Sequence, residues 1–519
     1  MFHSNSKTQR QVGIILSLAT FAVGAAMLLI YTPLVIRFLG KELFGLYTVA
    51  FSTVEYLMFI GFGIAGSYVR FFSRYEVKKD HDNLGRLNAV FLLILIAVIA
   101  LSFVVGVIVL FNLDYILKDR LTAENLHSAQ LVIFILLLNM IVDVLCMIFQ
   151  LYAQAKERFI FNKMTQLLRI ILVPTISITL LYCNMSMVGL ALGLLIANTI
   201  LGIVNSYFAM KSLKMKFIFN DLRLSLAKEI FIFSFSLLVI SMVDLASRSA
   251  GSFIIGRMIS LEAVAPYGAA MKLALYYTQV SILTSTIYLP QINLLVSLDE
   301  DNNLEINRFF CHIGRWQAIM LLTILCGFIV FGRPFIKLWA GVGYEESFLM
   351  TVLLMVAYFF PMVMAGGMMT QVAMNRHSFN AKILPLIMIF NIFLSIIFIF
   401  FFGPTGVAFS SVITMGLTYL GIMNFFFVKH LALDIKIFWI RIVKLLPVFS
   451  LLGVFGVFLQ KIFDFNVIWQ LLVAMVIFGV LVVALIGLFI LTKDERNKLK
   501  HFISLIKDFS LKFLKTFNF

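Results

Sequence analysis

The chain has 519 residues, 62% of them hydrophobic and only 13% charged, with a mean hydropathy of +1.04. Water-soluble domains carry roughly 45–50% apolar and about 25% charged residues, so that class is excluded. The formal charge of +16 would suit a nucleic-acid partner, but the positions of the charges give them a topological role, and no nucleic acid is expected as a partner.

The apolar runs are continuous and about twenty residues or longer. This excludes the alternating ten-residue segments of a β-barrel and leaves helices, whose backbone groups are paired internally. About fourteen spans are predicted. In chain order they cover 12–36, 43–67, 87–112, 129–153, 162–183, 187–210 and 229–256, then 265–290, 311–332, 348–372, 382–402, 405–428, 439–459 and 467–492. Lys7 and Arg10 precede the first run, which is too long for the apolar core of a signal peptide and is expected to stay as the first span. Between the first two spans lies a short charged knuckle, Ile36 to Ala50, in which Gly40 and Gly45 permit a sharp reversal and close helix packing.

Every second connection along nearly the whole chain is basic. Arg70, Arg74, Lys78, Lys79 and Arg86 follow the second span. Lys156, Arg158, Lys163 and Arg169 follow the fourth, and Lys211, Lys214, Lys216, Arg223 and Lys228 the sixth. The weak connection is 297–308, where Asp299, Glu300, Asp301 and Glu305 crowd in. By the positive-inside rule this pattern places both termini in the cytoplasm, and a basic inner face also attracts anionic membrane lipids.

A shift of 220 residues sets Arg37 on Arg257, Glu42 on Glu262, Tyr47 on Tyr267 and Ala50 on Ala270, and also Lys156 on Arg376 and Phe159 on Phe379. Spans 1–6 then overlie spans 7–12 as a parallel repeat. The expected architecture is an all-α polytopic membrane protein of two pseudo-symmetric six-helix bundles plus two extra C-terminal helices. Its expected parts are 1–226, 227–430, the additional pair 431–492, and a basic amphipathic tail 493–519 lying on the inner leaflet.

Ionisable residues deep in a span are costly and usually face a cavity or a partner. They are Glu55, Asp143, Asp244, Arg248 and Lys272. Ser234, Ser241, Asp244 and Arg248 fall at spacings of seven, three and four, one stripe on a helix. The eighth span adds Tyr276, Tyr277, Gln279, Ser281 and Ser285, so spans 7 and 8 are expected to line a wet interior surface. Arg248 and Lys272 are candidate docking cations for an anionic substrate, although an i,i+4 ion pair between Asp244 and Arg248 reads equally well. Glu55, Asp143 and Asp244 are candidates for ion coupling or for intramembrane pairing.

Other patterns carry less. Gly61 to Gly66 matches GxGxxG but ends a span, where small-residue packing explains it. There is no GxxxxGK[ST], no HExxH and no CxxC, so no cofactor, metal site or enzymatic activity is expected. Pro33, Pro174, Pro290, Pro361, Pro385 and Pro447 lie in or near span ends, where kinks are expected.

The knuckle from Arg37 to Tyr47 resembles the turn after the first helix of polysaccharide flippases, the O-antigen and capsule exporters of the multidrug/oligosaccharidyl-lipid/polysaccharide superfamily. Further matches are Gly61 to Arg70, Gln154 to Phe159, Phe253 to Arg257, Val264 to Tyr267 and Gly332 to Trp339. The family often has Asp where this chain has Phe62 and Ser252. The resemblance implies a fourteen-helix transporter flipping undecaprenyl-diphosphate-linked oligosaccharide units across the bacterial cytoplasmic membrane. It also implies a cationic central cavity that suits Arg248 and Lys272. Partners so implied are the lipid-linked oligosaccharide, membrane lipids, and the polymerase and glycosyltransferases of the same pathway. The alternative is a cation-coupled multidrug or small-molecule antiporter of the same superfamily.

Overall fold

The computed structural model describes residues 6–113, 123–222, 224–297, 303–374, 376, 378–465, 467–491 and 495–496. Among them no strand occurs. The first helices are α1 (Ser6–Glu76), α2 (His81–Phe111), α3 (Ala123–Ala155), α4 (Phe159–Tyr182) and α5 (Ser186–Tyr207). Next come α6 (Leu224–Met258), α7 (Leu261–Ser297), α8 (Asn303–Trp339), α9 (Glu346–Val363) and α10 (Ala365–Ala373). The chain continues with α11 (Ser378–Phe402), α12 (Gly406–Gly416), α13 (Asn424–Leu431), α14 (Ile435–Val443), α15 (Leu446–Ile462) and α16 (Ile468–Leu485). Of the expected tail 493–519, only Glu495 and Arg496 are described; the rest lies outside the described residues. Glu495 is ion-paired to Arg315 of α8 at 2.9 Å.

Apolar residues run round these helices instead of along one stripe, and whole rows of them stay exposed. Leu101, Val104, Ile108 and Phe111 on α2 and Val476, Val480 and Val483 on α16 are examples. In water this would be a liability; against lipid it is the required surface. Among the described residues, ten segments are long and apolar enough to cross a membrane by length and composition. Two of them, Leu16–Met58 at 43 residues and Ser378–Leu431 at 54, exceed the roughly twenty residues that one crossing takes. Each contains a backbone break: Gly40 at φ 72°, ψ −178° inside α1, and Gly403 at φ 58° between α11 and α12. Helices α6 and α7, parts of which lie outside the described residues, are not among the ten. The expected count of fourteen follows only if the two long segments are divided at these glycines and α6 and α7 are added.

Two expected spans are broken in the middle. The tenth is divided at Met364 into α9 and α10, three residues after Pro361, and the thirteenth at Lys444–Leu445 into α14 and α15. Pro447 therefore stands in the first turn of α15 and does not kink a longer helix; its missing N–H costs nothing there. Asp80 and Asp434 accept hydrogen bonds from Asn83 N and Ile437 N and so start α2 and α14.

Helices pack closely at the end of the bundle that carries Gly40. A methyl at Gly45 would overlap the Leu261 carbonyl oxygen, so α1 and the start of α7 meet backbone to backbone. A methyl at Gly268 would lie 3.0 Å from Thr48, and one at Gly256 3.2 Å from Val49. Under the 220-residue shift Gly45 corresponds to Ala265 and Thr48 to Gly268, and the members of each pair sit against one another. Trp339 Nε1 donates to Leu29 O at 3.2 Å and Ser347 Oγ to Pro266 O at 2.9 Å, tying α8 and α9 to the same end. Beside them the Glu345 carboxyl is held below its ordinary pKa, chiefly by the Gly343 N–H, with Lys41 adding to the effect.

Candidate functional site

The second arm of α1 and helix α6 run together along much of their length. Ser234 Oγ donates to Ser67 Oγ at 2.8 Å, Ser249 Oγ reaches Glu55 Oε2 at 3.5 Å, and Arg74 pairs with Glu229 at 3.1 Å. The first arm of α1 and helix α7 instead frame two adjoining cavities, one apolar and one of mixed lining.

The larger, of about 630 Å³, is an apolar groove between the first arm of α1, α7, α8 and α16. Phe328, Phe331 and Phe335 of α8 and Phe478 of α16 supply much of its wall. Phe328, Phe331 and Phe335 recur at i, i+3 and i+7, which keeps them on one face of α8. The smaller cavity, of about 290 Å³, is lined by Ser17 and Thr20 of α1, Lys163 and Gln166 of α4, and Gln279 of α7. Phe21 and Tyr276 belong to both. Gly24 leaves room for Tyr276, whose hydroxyl would lie 3.1 Å from a methyl placed there. Lys163 Nζ donates to Gln166 Oε1 at 3.0 Å.

Gln166 also borders a third cavity, of about 150 Å³, enclosed by α3, α4 and α5 and lined largely by polar side chains, Asp143 and Arg169 among them. Arg169 pairs with Asp143 there at 2.9 Å. A fourth cavity, of about 600 Å³, lies between α1, α2, α6 and α11 with Arg257 in its wall. A fifth, of about 300 Å³, lies between α6, α9, α11 and α12, where Asn391 Nδ2 donates to Thr414 Oγ1 at 3.2 Å.

The candidate residues are spread across this frame. Glu55 bonds to Ser249 across the α1–α6 seam and Asp143 to Arg169 across α3–α4, both interhelical contacts. Asp244 lies on α6, but its side chain is outside the described residues, and so is the expected Asp244–Arg248 pair. Arg248 is half-buried on α6. Lys272 places its ammonium over the Phe44 ring, 4.9 Å from the centroid, and has no ion-pair partner among the described residues. Neither Arg248 nor Lys272 lines any of the five cavities.

Of the polar residues expected on α7, Tyr276 and Gln279 line the smaller cavity, beside Leu275 and Leu283 of the same helix. Ser281 donates to Met362 O, and Ser285 accepts from Gln317 of α8, so these two are used in helix packing. The cations in cavity walls are Lys163, Arg169 and Arg257, which the sequence reading had assigned to connections and span ends. A signal for one of them, Arg169, was present. Asn162, Gln166 and Arg169 recur at spacings of four and three, a polar stripe of the same kind as the one noted on span 7.

The family model described as Polysaccharide biosynthesis protein matches residues 11–292. No curated protein gives a significant sequence match. Among solved structures, the lipid II flippase MurJ in its inward closed conformation superposes with a TM-score of 0.71 at 16% identity, over 92% of this chain and 98% of that one. The Vibrio cholerae MATE transporter VcmN gives 0.57 at 11%, over 82% and 99%. An outward-facing multidrug resistance MATE family transporter of the MOP superfamily gives 0.55 at 14%, over 80% and 94%. At these identities the likeness is one of fold.

Proposed function

The chain belongs to the polysaccharide biosynthesis protein family, and from that premise we propose that it is a flippase. Its substrate would be undecaprenyl-diphosphate-linked oligosaccharide repeat units, carried across the bacterial cytoplasmic membrane by alternating access. The observation that carries this reading is the shared wall of Phe21 and Tyr276, which joins a groove of phenylalanines to a smaller cavity of mixed lining that holds Lys163, Gln166 and Gln279. A substrate with a long apolar tail and a charged, hydroxylated head needs both surfaces side by side. The tail lies against Phe328, Phe331, Phe335 and Phe478, and the head passes into the cavity with Ser17, Thr20 and Gln279. Lys163 docks the diphosphate as a compact point charge. Arg248 and Lys272 keep a proposed role as further docking cations, met when the helices rearrange.

The same reading divides the chain at about 226 and 430 into two six-helix lobes with an appended pair. The contacts of Gly45 with Ala265 and of Thr48 with Gly268, equivalent under the repeat, support a twofold axis passing between them. With the termini in the cytoplasm, the Gly40 end is the outer one, and its backbone-to-backbone packing closes the protein on that side. The transport step makes no covalent bond, so the protein works as a carrier and not an enzyme. The fold likeness to MATE transporters favours one second reading, an ion-coupled antiporter acting through Glu55, Asp143 or Asp244.

In cells that carry the full chain in place of the native copy, Lys163→Ala is expected to lower surface polysaccharide about tenfold and to leave lipid-linked repeat units on the inner leaflet. Lys163→Arg, which keeps the charge, restores most of it. A deletion that leaves surface polysaccharide intact and instead sensitises cells to toxic cations overturns the flippase reading in favour of the antiporter.

A further inference from the structure

The cavity enclosed by α3, α4 and α5 is built from three polar stripes on apolar helices. Asn139, Asp143, Cys146 and Gln150 recur on α3 at spacings of four, three and four. Asn162, Gln166 and Arg169 follow on α4, and Asn198, Gly202 and Asn205 on α5. Such spacing turns the groups of each stripe toward one side of its helix. The three sides converge on about 150 Å³, room for roughly ten waters or one sugar ring. Most of its groups are already engaged: Asn198 donates to Asn139 at 2.7 Å, and Thr165 to Asn162 O at 3.0 Å.

Asn205 is the exception. It is 1% exposed and lines this cavity, yet neither Oδ1 nor Nδ2 has a hydrogen-bond partner among the described residues. The buried Oδ1 of Asn162, also in the wall, is likewise without one. A buried amide left unpaired loses its hydration with nothing in return, so its position calls for a partner.

The chemistry of that partner follows from the lining. A cation would satisfy Oδ1 of Asn205 but leave Nδ2 unpaired, and it would sit near the Arg169 guanidinium. An anion would face the Asp143 carboxylate and the orphan oxygen of Asn162. An uncharged group bearing hydroxyls, each both donor and acceptor, satisfies both atoms of Asn205 and the remaining amides, and it leaves the Asp143–Arg169 pair intact. Gln166 belongs to the wall of this cavity and of the one proposed to receive the substrate head, so the two adjoin.

We propose that this cavity is a sugar subsite, taking one uncharged monosaccharide unit of the glycan that the neighbouring cavity admits; the assignment rests on the flippase reading. Cys146 lines the cavity and reports on it. The test uses the purified full chain in lipid nanodiscs, with Cys183→Ser, Cys311→Ser and Cys326→Ser leaving a single thiol. The rate of Cys146 alkylation by N-ethylmaleimide and the unfolding temperature are read with and without methyl glycosides of a hexose, an N-acetylhexosamine and a 6-deoxyhexose. Sodium chloride and inorganic phosphate serve as ionic probes.

At least one glycoside is expected to slow alkylation and to raise the unfolding temperature, while the salts do neither. Asn205→Leu should weaken this protection about tenfold and leave the ligand-free protein as stable as before or more so, because the orphaned amide is gone. Asn205→Asp, close in size, should lose it as well, since its carboxylate offers no N–H. No response to any of the three glycosides, the same response in Asn205→Leu, or a response to the salts instead, overturns the subsite; the cavity then holds only water or an ion. Loss of export on deletion without sugar protection refutes the subsite alone. Sugar protection in a protein whose deletion leaves export intact refutes the flippase reading alone.

Discussion

Gly40 and Gly45 stand five residues apart and are glycine for different reasons. At Gly40 the backbone lies at φ 72°, ψ −178°, a region essentially closed to other residues, yet nothing sits within 4 Å of where a side chain would begin. Gly40→Ala should therefore act through strain alone and cost about 1–3 kcal/mol. Gly45 is helical and unstrained, but a methyl there would overlap the Leu261 carbonyl. Gly45→Ala should push the two hairpins apart. Hydrogen exchange on the purified protein separates the two effects: faster exchange at Leu261 to Ala265 is expected for Gly45→Ala and not for Gly40→Ala. Equal exchange in the two variants would remove the distinction. The turn itself was readable, because a charged Gly-containing segment between apolar runs has few alternatives. The overlap with Leu261 was not, since it depends on a residue more than two hundred positions away.

Between helices, the Asp143–Arg169 pair links α3 to α4 beside the polar cavity. The aspartate side chain is 14% exposed and the arginine 43%, and the difference decides how each removal acts. Asp143→Ala leaves the more exposed partner, whose long side chain can swing away from the cavity, so its cost is expected to be the smaller, about 0–1 kcal/mol. Arg169→Ala leaves a largely buried carboxylate, and the expected cost is larger, about 1–3 kcal/mol. The double variant should recover part of that loss. Thermal unfolding of the four proteins tests the asymmetry; a larger loss for Asp143→Ala would show that the arginine is the more confined partner. The sequence drew attention to Asp143 because a lone carboxylate in a span is conspicuous. It did not point to the amide stripes of α4 and α5, because Asn and Gln carry no charge and one stripe alone does not enclose anything. Three helices had to converge before the cavity existed.

For the whole molecule, the seam between the second arm of α1 and α6 is the place to ask whether the two halves move. Ser67 and Ser234 meet across it at 2.8 Å between their hydroxyl oxygens, within reach of a disulfide after substitution. Ser67→Cys with Ser234→Cys should cross-link on mild oxidation. If transport needs the seam to open, oxidation should abolish export, reduction should restore it, and neither single variant should respond. Full export by the cross-linked protein would confine the motion to other interfaces.

Class, helical character and the alternation of basic connections were determined by the sequence alone, because they follow from local composition: a backbone in lipid must pair its own polar groups, and lysines and arginines collect on one side of the membrane. The sequence also proposes a repeat, since several like residues recur at a separation of 220 along the chain. Which polar groups share a cavity was decided only by the tertiary structure. Lys163 became a wall residue because the first arm of α1 and α7 pack beside α4, while Arg248 and Lys272, equally prominent as letters, fall outside the five cavities. A span with ionisable groups announces that they need partners or water; only the packing of the other helices fixes which of the two each one receives.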